Sequence, residues 1–203
     1  MQPISEAHLI DCMEFMLTIP DKYFELAIVD PPYGIEINKS GRLGHYGGKG
    51  KTWDENIPDK SYFEELKRIS KNQIIRGGNY FELPPTKCFL IWDKQQPEGV
   101  SFASCELAWT NFDLVAKTFY LRPQGQEFRI HPTQKPIALY KWLIKNYAKQ
   151  GDKILDTHMG SQSSRIACWD GGFDYWGCEL DPEYYEQGCT RFNNHIKQLT
   201  IAF

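Results

Sequence analysis

The sequence predicts an α/β fold built on a doubly wound, mostly parallel sheet, and three features carry that prediction. Short apolar runs end in acids: Phe24 to Val29 before Asp30, Lys153-Ile154-Leu155 before Asp156, and Tyr175 to Cys178 before Glu179. After the second run, small residues from Thr157 to Ser164 open a helix through Ile166, Ala167, Cys168 and Trp169. That strand–turn–helix unit forms the nucleotide crevice of open α/β sheets. Strand-like and helix-like segments then alternate along the chain, which favours parallel strands.

Taken in order, Phe24 to Val29 is the first strand. Residues 59–71 predict a helix, with Asp59 as its cap and Tyr62, Phe63, Leu66 and Ile69 as an apolar stripe at helical spacing. Gln73 to Arg76, Lys87 to Trp92, Glu106 to Trp109 and Val115 to Leu121 read as strands. From Pro136 a helix is predicted to about Lys149, with Ile137, Tyr140, Ile144 and Tyr147 on one face and Gly151 past its end. A last helix starts after Asp181-Pro182 and is expected to bury Tyr185, Cys189, Phe192 and Ile196.

Composition agrees with one enzyme domain. The chain has 203 residues, 41% hydrophobic and 14% aromatic, enough to bury a core and too apolar for a disordered chain. Six cysteines without a C-x-x-C pair, and no His cluster, argue for reduced packing thiols and no metal site. Reduced thiols suit a cytoplasmic compartment. No membrane-length apolar stretch or signal-peptide pattern is seen.

Asp30-Pro31-Pro32-Tyr33 is the most unusual tetrapeptide. Each proline fixes φ and lacks an N–H, and residues before proline are extended. The Asp30 and Pro31 carbonyls are thereby left to accept hydrogen bonds beside the flat ring of Tyr33. Acceptors next to a ring form a receptor for a planar group with an exocyclic amine, such as a flipped nucleobase. Taken alone, the tetrapeptide is equally a stiff Pro-Pro loop with a structural tyrosine.

Together these segments resemble the S-adenosylmethionine-dependent amino-methyltransferases of DNA (N6-adenine/N4-cytosine type), in the permuted class with the catalytic motif first and in a small bacterial or phage form. Ile10-Asp11-Cys12-Met13-Glu14 is similar to the family's opening acidic turn, and Asp30 to Tyr33 to its catalytic motif. Arg76-Gly77-Gly78-Asn79-Tyr80-Phe81 and Ile91-Trp92-Asp93-Lys94 match later strand ends, and His131-Pro132-Thr133-Gln134-Lys135-Pro136 a hallmark before the cofactor strand. The turn departs from the usual pattern: Thr157 and His158 replace Pro and Phe, and Gln162 replaces the second glycine, while Gly160 is kept.

The resemblance implies seven strands with one antiparallel, in a Rossmann-like sheet. It implies a catalytic half at about 1–94, a target-recognition region at about 95–130 and a cofactor half at about 131–203. For the catalytic site it implies Asp30, Pro31, Pro32 and Tyr33. For S-adenosylmethionine it implies Asp11, Cys12, Asp30, His131, Lys135, Asp156, His158, Gly160, Ser161 and Glu179, with Asp11 near the adenine and Glu179 on the ribose. The expected product is N6-methyladenine, with N4-methylcytosine as the alternative, because an Asp opening the motif goes mostly with adenine in the permuted class and a Ser mostly with N4-cytosine. No Pro-Cys motif points to cysteine attack on carbon-5.

The formal charge of −3 is unevenly spread. Between Ile35 and Thr52 stand Lys39, Arg42, Lys49 and Lys51 against Glu36, among five glycines. Such a loop beside the motif is expected, with Arg122, to contact phosphates of double-stranded DNA, although charged glycine-rich stretches are commonly plain solvated loops. A homodimer and a restriction partner are compatible with this reading. Two rivals stay open: a nucleic-acid-binding module that has lost the cofactor, and a methyltransferase of RNA or of protein amide nitrogen.

Overall fold

The computed structural model describes residues 2–37, 51–99, 103–123 and 128–201. The chain runs β1 (Ser5–Leu9), α1 (Cys12–Leu17), β2 (Phe24–Val29), α2 (Lys60–Ile69), β3 (Ser70–Arg76), β4 (Leu90–Asp93), β5 (Cys105–Thr110), β6 (Lys117–Tyr120), α3 (Ile137–Tyr147), β7 (Lys153–Asp156), α4 (Ser163–Gly171), β8 (Asp174–Glu179) and α5 (Pro182–Ile201). The strands form one sheet in the order β1-β8-β7-β2-β3-β5-β4-β6. Only β5 runs against its neighbours, pairing antiparallel with both β3 and β4. The expectation of one antiparallel strand therefore holds. Among the described residues there are eight strands rather than the expected seven; the one the sequence did not mark is β1, which is half-exposed and lacks the apolar run of the others.

Both faces of the sheet are covered, as a mostly parallel sheet requires. On one face α1 and α2 pack Phe15, Met16, Tyr62, Phe63, Leu66 and Ile69 over Phe24, Val29 and Leu155. On the other, α3 and α4 cover Leu26, Ile28, Ile74 and Ile154. From Leu26 to Val29 successive residues of β2 thus alternate between the two cores, the consequence of a two-residue side-chain period. The predicted α2 stripe is the buried one, and Asp59 accepts from the N–H groups of Ser61 and Tyr62 at 2.8 and 3.4 Å. In α5 the face is turned by one residue from that expected: Tyr184 and Phe192 are buried, while Tyr185, Cys189 and Ile196 are half-buried. Tyr185 is held partly outward because its hydroxyl donates to the Ala7 carbonyl of β1 at 3.1 Å.

The parallel order matters most at the carboxyl edge. Leu9 pairs with Glu179, Asp156 with Gly177, and Ala27 with Leu155. Asp11, Glu179, Asp156 and Asp30 are therefore the tips of four adjacent strands. Ligands bind at this edge in doubly wound sheets. Since β5 is antiparallel, its first residues, Cys105 and Glu106, arrive at the same edge opposite Asp93 and Trp92.

Candidate active site

A cavity of about 600 Å³ opens over these tips. Of the sequence-predicted residues, Asp11, Cys12, Asp30, Pro32, His131, Lys135, His158, Gly160, Ser161 and Glu179 line it. The volume lies within the usual range for small-molecule sites, about 300–1,000 Å³. Asp156 does not line the cavity. It is buried beneath it, where its carboxylate accepts from the His158 N–H at 3.0 Å and the Ser164 hydroxyl at 2.6 Å. Burial raises its carboxyl to about 7 despite those bonds, which tie the turn at His158 to the start of α4.

The wall formed by β1, β7 and β8 is organised largely by backbone groups. Asp11 caps α1, accepting from Met13 and Glu14 N–H at 2.8 and 3.2 Å. Glu179 accepts from Gly160 N–H at 2.9 Å through one oxygen and from Asp181 N–H at 3.0 Å through the other. Burial raises its carboxyl overall. Each oxygen keeps a lone pair for a ligand hydroxyl. Gly160 has φ +44, a left-handed conformation that glycine adopts without penalty.

The three departures in the turn are each accommodated. The Thr157 hydroxyl bonds the Tyr62 hydroxyl of α2 at 2.6 Å and the His158 ring at 2.9 Å. Gln162 also adopts φ +59 and is fully buried, but its amide faces away, toward Tyr185, Cys189 and Arg165. Its side chain thus lies against α5 and is absent from the cavity lining. Cys12 does line the cavity, and burial pushes its thiol up to about 12, which removes it as a nucleophile at neutral pH.

The opposite wall, at the β2 tip, is a cluster of ion pairs. Asp30 accepts from Lys135 Nζ at 2.7 Å and from the Tyr33 hydroxyl at 2.5 Å, with Arg76 Nε 3.6 Å away. Glu106 accepts from Arg76 and Lys94 at 2.5 and 2.7 Å, with Lys135 3.7 Å off. Burial alone would raise the Asp30 carboxyl, yet Lys135 and Arg76 outweigh it and hold it below its ordinary value. Glu106 is held far lower by the same cations against the same burial. Expected at the cofactor, Lys135 is instead engaged with the catalytic motif while still lining the cavity.

Tyr33 stacks on Tyr80, with ring centroids 4.9 Å apart and planes 12° apart. Gly77 permits this, because a Cβ there would lie 2.2 Å from the Tyr33 ring. Asp54 was not anticipated. Almost fully buried, it accepts from the N–H groups of Tyr33, Gly34 and Ile37 at 2.7, 3.1 and 2.9 Å. In sequence it looks like one more acid of a polar loop. The Pro31 carbonyl accepts no hydrogen bond among the described residues.

His131 lies between Trp53 and Tyr184, at centroid distances of 5.3 and 4.2 Å. Burial, then Lys135, lowers it to about 3, so it is neutral at neutral pH. Lys51 corrects an expectation: it pairs with Asp181 at 2.6 Å and Glu183 at 2.8 Å over the Tyr184 ring. With two carboxylates on its ammonium, it ties residue 51 to the start of α5 beside the cavity. Arg122 is exposed, and Lys39, Arg42 and Lys49 lie outside the described residues. Among the described residues no metal-holding cluster occurs, and no helix is long and apolar enough to cross a membrane.

Comparison with known proteins bears on this geometry. A family profile described as DNA methylase matches residues 90–189. The type II methyltransferase M2.MboI of Moraxella bovis is 21% identical over 248 residues, covering 95% of this chain and 89% of the relative. Among solved structures, the M1.HpyAVI–SAM complex superposes with a TM-score of 0.61 at 18% identity, over 93% of this chain and 98% of that one. The cytosine-N4-specific PvuII DNA methyltransferase gives 0.65 at 13%, over 94% and 87%. These two show a shared fold.

Proposed function

We propose, for a chain that belongs to the S-adenosylmethionine-dependent DNA methylases of the N6-adenine/N4-cytosine family, that it methylates the N6 amine of adenine in a short site of double-stranded DNA. The observation that carries this reading is the Asp30 tip. An ionised carboxylate, followed at once by a carbonyl with no partner among the described residues, stands at the edge of a cofactor-sized cavity.

The cofactor supplies a methyl group already activated on a sulfonium. What remains for this chain is positioning and electrostatics. An exocyclic amine is a poor nucleophile because its lone pair is delocalised into the ring. Asp30 and the Pro31 carbonyl, accepting its two N–H bonds, favour a pyramidal nitrogen with its lone pair freed. Tyr33, whose ring is stacked on Tyr80 in the structure, would offer that ring to the base in place of Tyr80. On the other wall Glu179 would hold the ribose hydroxyls, Asp11 would stand toward the adenine, and Gly160 and Ser161 would flank the methionine part. The cavity's volume and its paired acid tips fit that group.

Adenine over cytosine is supported by the Asp that opens the motif. Both bases present an amine beside a ring-nitrogen acceptor, so the pocket's physics does not separate them. DNA contact is assigned to Lys39, Arg42, Lys49 and Arg122, and recognition to residues 95–130. β5 and β6 take ten residues of that span. The stretches around them are short, and at ~1–3 kcal/mol of discrimination per contact they support a site of about two to four base pairs. A second copy of the chain would add grip.

The test is to incubate mixed-sequence DNA with methyl-labelled cofactor, digest it to nucleosides and separate them. Label in N6-methyladenine is expected. Label confined to N4-methylcytosine would overturn the choice of base.

A further inference from the structure

Both oxygens of Asp30 are already engaged before a target amine arrives. One oxygen holds the Lys135 ammonium at 2.7 Å and the other the Tyr33 hydroxyl at 2.5 Å. An amine that enters competes with one of them for its oxygen. Burying an ammonium without a partner is costly, so Lys135, 7% exposed, needs somewhere else to go. Glu106 is that place, since one of its oxygens already lies 3.7 Å from Nζ. Glu106 is not exhausted by its other partners, because a carboxylate offers about four acceptor sites and here Arg76 and Lys94 take one each.

A second detail fits the same exchange. The Arg76 Nε is buried without a hydrogen-bond partner and lies 3.6 Å from Asp30 Oδ1. It can take up the charge of Asp30 when Lys135 leaves. The two anions and three cations therefore allow two arrangements, with Lys135 on Asp30 or on Glu106, and neither strands a charge.

We infer that Glu106 is a positioning residue of the transfer: it draws Lys135 off Asp30 as the target amine arrives, freeing the carboxylate oxygen that accepts the amine's N–H. This rests on the amino-transfer reading above. Glu106 acts on the reaction only through Lys135 and touches neither base nor cofactor. Antiparallel β5 brings it to the site, since a parallel strand here would put its first residue at the far edge.

The experiment measures single-turnover methyl transfer and cofactor affinity for Glu106→Gln, Glu106→Asp, Lys135→Met and the Glu106→Gln/Lys135→Met double variant. Glu106→Gln keeps the shape but not the charge. It should slow transfer about tenfold while leaving the cofactor Kd within about twofold. Glu106→Asp should recover part of the rate. In the Lys135→Met background, Glu106→Gln should have no further effect, because no ammonium remains to be moved. A wild-type rate in Glu106→Gln would overturn the inference. So would an equal loss in both backgrounds, or a loss matched by weakened cofactor binding and a lower Tm, since either marks a merely structural residue. No transfer by the wild-type chain to any DNA would overturn the amino-transfer reading, and this inference with it.

Discussion

The two walls of the cavity are built by different means. On the β1–β7–β8 side, acids are held by backbone N–H groups close in sequence or on neighbouring strands: Asp11 by Met13 and Glu14, Glu179 by Gly160 and Asp181. On the β2 side, Asp30 is held by side chains from distant parts of the chain, Lys135 and Arg76, balanced by Glu106. Backbone donors persist when side chains change, which is why Thr157, His158 and Gln162 can stand where the family usually has other residues. A charge cluster has no such tolerance. Removing one member leaves its buried partners short of a counter-charge.

The contrast predicts where substitutions cost most. The largest effect is expected for Lys135→Met. With burial left to raise Asp30 and its strongest opposing charge gone, the acid limb of the transfer rate should move up by ~1–3 pH units. The sign follows from the direction of the shift: Asp30 is depressed by Lys135, so it then protonates at higher pH. A pH–rate profile checks this, and an unmoved acid limb would break the proposed dependence. Next is Glu179→Ala, which removes charge-assisted hydrogen bonds and should weaken cofactor binding by ~1.5–3 kcal/mol, read by calorimetry. Asp54→Ala strands the N–H groups of Tyr33, Gly34 and Ile37 and should cost ~1–3 kcal/mol of stability, seen as a lower Tm and slower transfer. The smallest belongs to Gln162→Gly. Relief of the left-handed strain, ~1–2 kcal/mol, offsets lost packing against Gly188 and Arg165. Cofactor affinity should stay within about twofold of wild type, since the side chain faces away from the cavity; a larger loss would show that the turn is less tolerant than its backbone suggests.

Local signals made the strand tips legible. An acid after an apolar run gave Asp30, Asp156 and Glu179, and 3.6-residue spacing gave α2 together with its cap. What escaped the sequence was non-local. Strand β1 is a half-exposed edge with Glu6 and His8, so it shows no apolar run. Glu106 opens an antiparallel strand, so a search of strand ends passes over it. Lys51 reads as a loop cation because its partners Asp181 and Glu183 lie far along the chain. Asp54 sits beside a charged, glycine-rich loop, where nothing local distinguishes a buried acid from a solvated one. In α5 the burial of Tyr184 rather than Tyr185 is decided by the contact with β1, outside the reach of helical periodicity.

The central claim is the division of labour between the walls, and a paired measurement on Asp30→Ala and Glu179→Ala tests it most directly. Each variant is titrated with S-adenosylmethionine, then assayed for single-turnover transfer to DNA at saturating cofactor. The account predicts a crossed result. Asp30→Ala should bind cofactor within about threefold of wild type yet lose transfer by ~10² or more, as for removal of a group acting in the transition state. Glu179→Ala should bind cofactor ~10- to 150-fold more weakly, while a substantial part of the transfer rate returns at saturation. Near wild-type transfer by Asp30→Ala, or unchanged cofactor affinity in Glu179→Ala, would contradict it.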